Sequence, residues 1–564
     1  MESRSLLCLP CGLVAVALAL AGAPLLRAES DLPRRGMVAS GHPLATQAGL
    51  NVLKSGGNAI DAAVAVGLTL GVVDGYNSGI GGGCFLLIRL ANGKFVAIDG
   101  RETAPAAATR ELFVREGRAD TRLSQTGPLA VAVPGQLAAF DDALRRYGRR
   151  KLKQLILPAA ELAETGFIVN ADYAARVKAV ADELARFDGS RAIFFQNDEP
   201  LRAGDCLRQP DLAATYRAIA AAGADWFYRG PFARAAERWM REHGGILRAR
   251  DFADYRIVRR RPIQTTYRGH TIVTFPPPSS GGVHLAQMLN MLESFDLNAL
   301  DEATRLHLIA ETMKRAFADR AWWLGDPAFA RVPRGLIAKA YARSLAGQID
   351  LHRATPVPRH GQPPDWQRDV FPRHTTHFSV ADANGNWVAC TATINTTFGS
   401  KVVIPGTGVI LNNEMDDFAI QPGVPNAFGL VGAEANAVAP GKRPLSSMTP
   451  TLVLRDGEPI LALGAAGGPR IISTVLLELI AMLDLGQSPA QAVAAPRIHH
   501  QWLPDELVVE QTLPADLRNA LEQRGHRVVV QEKLAVSQIV ARTPDGSGFV
   551  GAADPRGYGT TAGW

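Results

Sequence analysis

Cysteine is scarce in this chain, and the few cysteines form no recognisable pattern. Only five of the 564 residues are cysteine, and two of them, Cys8 and Cys11, lie in an apolar N-terminal segment. The other three, Cys84, Cys206 and Cys390, are an odd number without a CxxC pair. They suggest neither a disulfide framework nor a zinc site. A chain of this length can build a large core without disulfides, even in an oxidising compartment.

A large excess of charge is also missing. The formal net charge of +6 is small for a chain of this size, whereas nucleic-acid-binding proteins concentrate basic residues on one face. The densest basic run is Arg256, Arg259, Arg260 and Arg261, which we interpret as a solvated strand edge or loop. Hydrophobic residues make up 47% and charged residues 20%, a composition typical of a globular protein. We therefore predict no nucleic-acid partner.

Long apolar runs are absent after the N-terminus. Arg4 precedes an apolar stretch at residues 12–23, which Pro24 interrupts. This stretch is shorter than the roughly 20 residues of a membrane-spanning helix. A basic start, a short apolar segment and Ala28 before a polar stretch predict a secretory signal over residues 1–28. The alternative is an uncleaved membrane anchor. We expect an exported protein, periplasmic or secreted, with no stable membrane span once the signal is removed.

The rest of the chain alternates helical and strand-like patterns without an internal repeat, which predicts a mixed α and β protein. Residues 41–73 predict two helices separated by a break at 55–58, and further helices are predicted at 136–147, 154–165, 211–222, 231–243, 302–324 and 470–485. Strands are predicted at 85–90, 94–98, 375–380, 387–394, 403–411, 449–454 and 460–464.

Residues 353–373 differ from their surroundings because they contain five prolines and few apolar residues. Prolines at this density remove the backbone donors that a helix or central strand needs, so we predict an exposed, extended linker. Strand-like sequence resumes at Thr375. If the chain is cut before this residue, the new α-amine can serve as the base that a threonine hydroxyl needs to become a nucleophile. From the local sequence alone, a Thr-Thr pair is more simply interpreted as part of an ordinary strand.

Two other segments could bind anionic groups. Gly467-Gly468 lies between a predicted strand and a helix opened by Pro469, where free backbone N–H groups could stabilise an oxyanion. A tight strand-to-helix turn is the simpler interpretation. Ser446-Ser447 could hold a carboxylate or could cap the local backbone.

Acidic residues cluster at residues 412–417, where the sequence reads Asn-Asn-Glu-Met-Asp-Asp. These carboxylates could hold an ammonium group, bind a metal or face water; no histidine is close in sequence, which disfavours a metal. The glycines at 79–83 do not fit a dinucleotide-binding loop, because Cys84 stands where the third glycine belongs and a strand follows. We predict neither a cofactor nor a metal.

Taken together, these segments resemble the γ-glutamyltranspeptidase family, and the resemblance extends over residues 36–564. The matching motifs are TTHFSV at 375–380, TATINTTFG at 391–399, LNNEMDDF at 411–418, KRPLSSM at 442–448, GRETAP at 100–105, Gly467-Gly468, and DPR at 554–556. So many motifs in the family's order favour the functional interpretation of each one.

The resemblance implies an N-terminal-nucleophile hydrolase fold, an α+β, αββα four-layer sandwich formed jointly by two subunits. The precursor would cut itself when Thr375 attacks the carbonyl of His374. A large subunit of residues 29–374 and a small catalytic subunit of residues 375–564 would remain together as a heterodimer. Thr375 would then attack the γ-amide of glutathione or another γ-glutamyl compound. The resulting ester would pass its acyl group to water, an amino acid or a peptide.

The resemblance also assigns roles to individual residues. It implies that Thr393 hydrogen-bonds to the nucleophile and that Gly467 and Gly468 form the oxyanion hole. The substrate α-carboxylate would be held by Arg101, Ser446 and Ser447, and its α-amino group by Asn395, Glu414 and Asp417. This division suits a γ-glutamyl group, because holding both charged ends places the γ-carbonyl at the nucleophile.

The chain departs from the family pattern at two places. Phe428 stands in a Pro/Gly-rich loop where some bacterial relatives carry a tyrosine that covers the site. The missing hydroxyl removes one potential hydrogen bond for closing a lid. Residues 74–78, Asp-Gly-Tyr-Asn-Ser, also differ from the expected bacterial form.

Two alternative functions remain. The first is an acylase of the same fold that acts on glutaryl side chains of cephalosporin-type β-lactams. Such substrates lack the α-ammonium, so Asp417 argues against it. The second is an exported binding protein that stays uncleaved and uses the same pocket without turnover.

Overall fold

The computed structural model describes residues 35–367, 371 and 379–564. The predicted signal, the nucleophile Thr375 and its preceding residue His374 therefore lie outside the described residues.

Two antiparallel sheets form the centre of the fold. The first has seven strands, in the spatial order Val258–Arg260, Phe95–Gly100, Gly83–Arg89, Trp387–Thr393, Ser379–Asp382, Gly36–Ser40 and Thr560–Gly563. The second has six, in the order Ile263–Tyr267, His270–Thr274, Thr451–Arg455, Glu458–Ala466, Val536–Arg542 and Phe549–Ala553.

Alternating side chains along the strands divide the core into layers. In the first sheet Ala381 and Ala389 pack into the cluster between the sheets, whereas Val380 and Val388 face the outer cluster. The period of two is the one that a strand buried on both faces requires. A third sheet and three two-stranded ribbons lie outside these layers, with strands Ile498–His499, Leu507–Glu510, Val528–Gln531, Val114–Arg115, Arg118–Ala119, Phe167–Ile168, Cys206–Leu207, Phe195–Gln196 and Glu199–Pro200.

Helices cover the outer face of each sheet, which confirms the predicted αββα arrangement. The core outside the first sheet includes helices Pro43–Lys54, Ala59–Val73, Gln136–Tyr147, Leu152–Thr165, Pro210–Ala222 and Pro231–Glu242. The core outside the second includes Gly281–Leu292, Glu302–Trp323, Lys339–Ala346 and Arg470–Leu483. Shorter helices span Arg122–Gln125, Ala171–Ala179, Ala181–Leu184, Asp188–Phe194, Asp225–Tyr228, Ala249–Asp254, Pro489–Ala494 and Ala515–Gln523.

Both sheets contain strands from before and from after residue 375. In the first sheet Trp387–Thr393 pairs with Gly83–Arg89, and Ser379–Asp382 pairs with Gly36–Ser40. In the second, Thr451–Arg455 pairs with His270–Thr274. The two parts of the chain therefore share both sheets and their cores.

Most of the predicted elements are confirmed, but the strand predicted at 403–411 is wrong. A single bridge joins Val403 to Ile410, and the chain turns between them at Gly406 and Gly408, whose φ angles are +76° and +66°. The apolar residues there are buried without forming a ladder. The strand predicted at 375–380 is present as Ser379–Asp382, and residues 375–378 lie outside the described part.

Two surface predictions also need correction. Residues 353–367 contain no helix or strand, as predicted, but hydrogen bonds hold them in place: Ala354 donates to Arg524 O at 2.7 Å, and Trp502 Nε1 donates to Val357 O at 2.7 Å. In the basic run, Arg260 is fully buried and pairs with Asp99 instead of facing solvent.

Candidate active site

Nine of the ten predicted site residues line one cavity of about 90 Å³. They come from strand ends and loops of both sheets and of both parts of the chain, and they are Arg101, Thr393, Asn395, Glu414, Asp417, Ser446, Ser447, Gly467 and Gly468. The tenth, Thr375, is outside the described residues.

Arg101 lines this cavity directly after strand Phe95–Gly100 and is 1% exposed. Its guanidinium contacts the carboxylate of Glu414, lies 2.5 Å from Asp417 Oδ2, and donates to Pro444 O at 3.1 Å. Burial acts to lower the pKa of Arg101, but the two carboxylates raise it above its ordinary value. Arg101 thus stays charged and links the two acids.

Glu414 is fully buried and retains a free acceptor. Its Oε1 contacts Arg101, whereas its Oε2 has no hydrogen-bond partner among the described residues. Burial raises the pKa of Glu414 to about 7, against the opposing effect of Arg101. Burial also raises the pKa of Asp417, again opposed by Arg101. A cation entering the cavity would supply the donor that Oε2 lacks.

Thr393 and Asn395 lie where strand Trp387–Thr393 ends. The backbone N–H of Asn395 donates to Thr393 Oγ1 at 2.8 Å, and Asn395 Nδ2 donates to Asn413 O at 3.0 Å. Asn395 has a φ of +79°, an uncommon conformation for a residue other than glycine. The two side chains are therefore fixed by the local turn before any substrate binds.

The glycine cluster at 79–83 packs against the end of strand Trp387–Thr393 and positions it. A methyl group at Gly82 would lie 2.0 Å from Thr393 O, and one at Gly81 would lie 2.0 Å from Ile410 O. Glycine is needed because the backbones meet without room for a side chain. This packing role agrees with the rejection of a dinucleotide loop.

The sequence analysis missed Arg320, a buried arginine behind the serine pair. Arg320 Nη2 donates to Ser447 Oγ at 3.1 Å, and its Nε donates to Ser280 Oγ at 3.0 Å. No described carboxylate lies within ion-pair distance of Arg320, and burial lowers its pKa to about 10. Ser446 Oγ accepts from Met448 N at 3.1 Å. Arg320 lies in the predicted helix 302–324. The spacing of apolar residues in that helix does not indicate that the Arg320 side chain contacts Ser447.

Gly467 and Gly468 connect strand Glu458–Ala466 to helix Arg470–Leu483 with φ angles of +147° and +59°. Their backbone N–H groups have no hydrogen-bond acceptor among the described residues. A helix start with free N–H groups suits a negatively charged oxygen. This geometry fits the predicted oxyanion hole.

Phe428 packs over this turn, since a methyl group at Gly468 would lie 2.6 Å from its ring. The loop is held by Asn426 Nδ2, which donates to Asp417 Oδ1 at 3.3 Å, and by Ala427 N, which donates to Asp416 Oδ2 at 2.8 Å. These two bonds attach the loop to the acidic cluster without the hydroxyl that a tyrosine would provide.

A group that could hold a metal lies elsewhere among the described residues, at His307, Glu311 and His526. Glu311 is already bonded by Lys314 at 2.8 Å and by Arg315 at 2.7 Å. His307 Nδ1 is 2.7 Å from His526 Nε2. Two cations beside the carboxylate disfavour a divalent ion, so these contacts fit a buried polar network better.

Among the described residues, every helix is too short or too polar to cross a bilayer.

Comparison with known proteins identifies the family of this chain. The γ-glutamyltranspeptidase family model matches residues 45–564. The glutathione hydrolase proenzyme of Escherichia coli K12 is 46% identical over 530 residues, covering 93% of this chain and 90% of the relative. The acylase ACY 1 proenzyme of Pseudomonas sp. SE83 is 41% identical, with 93% of each chain covered. Cephalosporin acylase from Bacillus halodurans has a similar structure, with a TM-score of 0.85, 29% identity, and coverage of 97% of this chain and 99% of that one. The chain belongs to the γ-glutamyltranspeptidase family.

Proposed function

We propose that this protein is a self-processing γ-glutamyl transferase and hydrolase. Thr375 attacks the γ-carbonyl of glutathione or another γ-glutamyl amide, and the amine leaves. Water, an amino acid or a peptide then takes the acyl group from the Thr375 ester. The working enzyme is a heterodimer of residues 29–374 and 375–564, exported by the signal at residues 1–28.

The observation that carries the proposal is the pairing of opposite charges in one small cavity. Arg101 and the two serines offer positive charge and hydroxyl donors, and Glu414 and Asp417 offer negative charge beside them. Arg320 lies behind the serines and donates to Ser447 Oγ. A free α-amino acid end carries both charges, whereas a simple acid carries one. The cavity therefore suits the glutamyl end of a γ-glutamyl amide.

Within this geometry the α-ammonium binds Glu414 Oε2, Asp417 and Asn395, while the α-carboxylate binds Ser446, Ser447 and Arg101. The γ-carbonyl then reaches Gly467 and Gly468, whose N–H groups stabilise the oxyanion. The free amine of Thr375 takes the hydroxyl proton and later gives it to the leaving amine. Thr393 orients the nucleophile.

Processing is tested on a denaturing gel. We expect two bands from purified wild-type protein and one from Thr375→Ala, with N-terminal sequencing of the smaller wild-type band starting at Thr375. Mature, active protein with an unbroken backbone would overturn this part of the proposal. A stable, unprocessed wild-type protein that releases no γ-glutamyl group would favour the uncleaved binding protein.

Substrate recognition is tested at Asp417. Asp417→Ala should reduce kcat/KM for γ-glutamyl-p-nitroanilide by about a hundredfold or more, because the buried ammonium loses a charged partner. Processing on the same gel controls for folding. An unchanged kcat/KM would remove Asp417 from the site.

An acylase is the second candidate, because the ACY 1 relative matches the chain over the same length. Glutaryl-p-nitroanilide provides a matched substrate that lacks only the α-ammonium. We expect wild-type protein to prefer γ-glutamyl-p-nitroanilide and Asp417→Ala to lose this preference. A wild-type preference for the glutaryl compound would favour the acylase.

A further inference from the structure

A second, larger cavity of about 370 Å³ borders the candidate active site. The two cavities share the lining residues Asn77, Thr391, Ala392, Ala466 and Gly467. Arg101 and the acids that contact it line the smaller cavity alone. The larger cavity therefore starts at the proposed oxyanion donor and extends away from the residues proposed to hold the glutamyl end.

Most charged groups that line the larger cavity are already paired. Arg176 Nε lies 3.2 Å from Asp172 Oδ2, Arg556 Nη1 lies 3.1 Å from Asp554 Oδ1, and Asp74 Oδ1 accepts from Asn77 Nδ2 at 2.9 Å. Lys533 lies at the more exposed side, 3.8 Å from Asp172. These groups balance one another and leave little charge for a ligand.

Arg470 is the exception. It is half-buried at the first turn of helix Arg470–Leu483, three residues after Gly467, and it lines the larger cavity. Its guanidinium makes no hydrogen bond or ion pair with another described residue. A half-buried guanidinium without a partner favours an anionic ligand that can accept two parallel hydrogen bonds, and a carboxylate has this geometry.

We propose that the larger cavity holds the amine-side part of the substrate and that Arg470 binds its free carboxylate. The inference rests on the proposed function, because it divides an amide donor into an acyl part and an amine part on opposite sides of the reacting carbonyl. When the bond between the γ-carbonyl carbon and the amide nitrogen breaks, the amine takes a proton and leaves through this cavity. An acceptor amino acid or peptide enters the same space. The ligand class is therefore a short peptide or amino acid with a free C-terminus.

The size of the cavity agrees with this assignment. The volume of 370 Å³ falls within the range of small-molecule sites, while the neighbouring 90 Å³ leaves room for little more than the glutamyl end. A dipeptide places its carboxylate several bonds from its amine, so the amine can approach the acyl carbon at Gly467 while the carboxylate reaches Arg470.

The test compares two donors that differ only at the far end, glutathione and glutathione with its glycine carboxylate converted to an amide. We expect wild-type protein to favour glutathione by about tenfold in kcat/KM. Arg470→Gln should bring the ratio close to one, and Arg470→Lys should keep part of it. Arg343→Gln changes an exposed arginine that lines neither cavity and serves as the matched control.

Release of p-nitroaniline from γ-glutamyl-p-nitroanilide, whose leaving group has no carboxylate, shows that each variant is processed and folded. If Arg470→Gln releases p-nitroaniline and keeps the wild-type preference for glutathione, the proposed role of Arg470 is wrong. If Arg470→Gln does not fold, a reduced preference in Arg470→Lys supports the proposal and full retention overturns it. If wild-type protein is cleaved but releases neither p-nitroaniline nor glutamate from glutathione, the proposed function itself fails.

Discussion

Arg320 is a buried cation whose described side-chain partners are two serine hydroxyls. If it orients Ser447 towards the substrate α-carboxylate, Arg320→Met should reduce the preference for γ-glutamyl-p-nitroanilide over 4-aminobutyryl-p-nitroanilide by about tenfold. The second compound lacks only that carboxylate. Arg320→Lys keeps the charge but cannot bridge both serines, so it should restore the preference partially. If Arg320→Met keeps the wild-type preference between the two compounds, Arg320 has only a structural role.

Glu414 should make substrate binding depend on pH. Burial raises its pKa to about 7, and Arg101, Glu102, Asp416 and Asp417 are its charged neighbours. An ammonium ligand needs the ionised carboxylate, so its affinity is present above this pKa and is lost as pH falls through it.

We therefore expect the inhibition constant of L-glutamate to rise by up to about tenfold per pH unit below pH 7, compared with that of glutarate. Glutarate has the same two carboxylates and no ammonium, so the ratio cancels the titration of the Thr375 amine. Glu414→Gln should flatten the ratio, and a ratio that is already flat in wild-type protein would contradict the assignment.

At the scale of elements, the loop at residues 79–83 determines where strand Trp387–Thr393 ends. Gly82→Ala forces a methyl group against Thr393 O, so it should lower stability by about 1–3 kcal/mol and lower kcat by displacing Thr393. Thermal unfolding and γ-glutamyl-p-nitroanilide hydrolysis measure the two effects. Gly347→Ala is the matched control, because the nearest atom to its methyl group would be 3.5 Å away. Identical behaviour of the two variants would mean that the loop adjusts freely.

The elements predicted from sequence are those governed by local rules. Helix Ala59–Val73 follows from an alanine-rich pattern and an Asn58–Asp61 capping box, and Gln136–Tyr147 from its amphipathic spacing. The strand at 403–411 was wrong because its apolar residues are buried by turns, which strand periodicity does not describe. The burial of Arg260 depends on Asp99, which is 161 positions away, so no local pattern contains it.

The candidate site was predictable only through the family resemblance. Locally, Ser446 was as consistent with capping as with binding a carboxylate, and a turn was the simpler interpretation of Gly467. Their predicted roles come from the fold that brings them to Arg101. Arg320 was missed because a helical pattern does not state which charged residue turns inward. Residue roles at the site remain predictions that the experiments above test.

For the whole molecule, the shared sheets bear on how the enzyme can be assembled. Strand Trp387–Thr393 lies between Gly83–Arg89 and Ser379–Asp382, so neither part of the chain can complete the first sheet alone. If processing occurs at Thr375, mature protein unfolded in guanidinium should recover activity in a concentration-dependent manner, because two chains must meet. Thr375→Ala stays one chain, and its recovery of native fluorescence should not depend on concentration in the range where it does not aggregate. Equal recovery of mature protein at all concentrations would contradict this prediction.

The sharing of both sheets by the two parts of the chain also bears on when the chain is cut relative to folding. We expect the sheets to form while the polypeptide is still continuous, since that continuity keeps the matching strands near each other. Processing then cuts the covalent link between the two parts, and the resulting heterodimer stays together only as long as it stays folded. When a mature molecule unfolds completely, its two chains are no longer linked and can diffuse apart. Its working lifetime is therefore set by its rate of unfolding and not by how well it can refold.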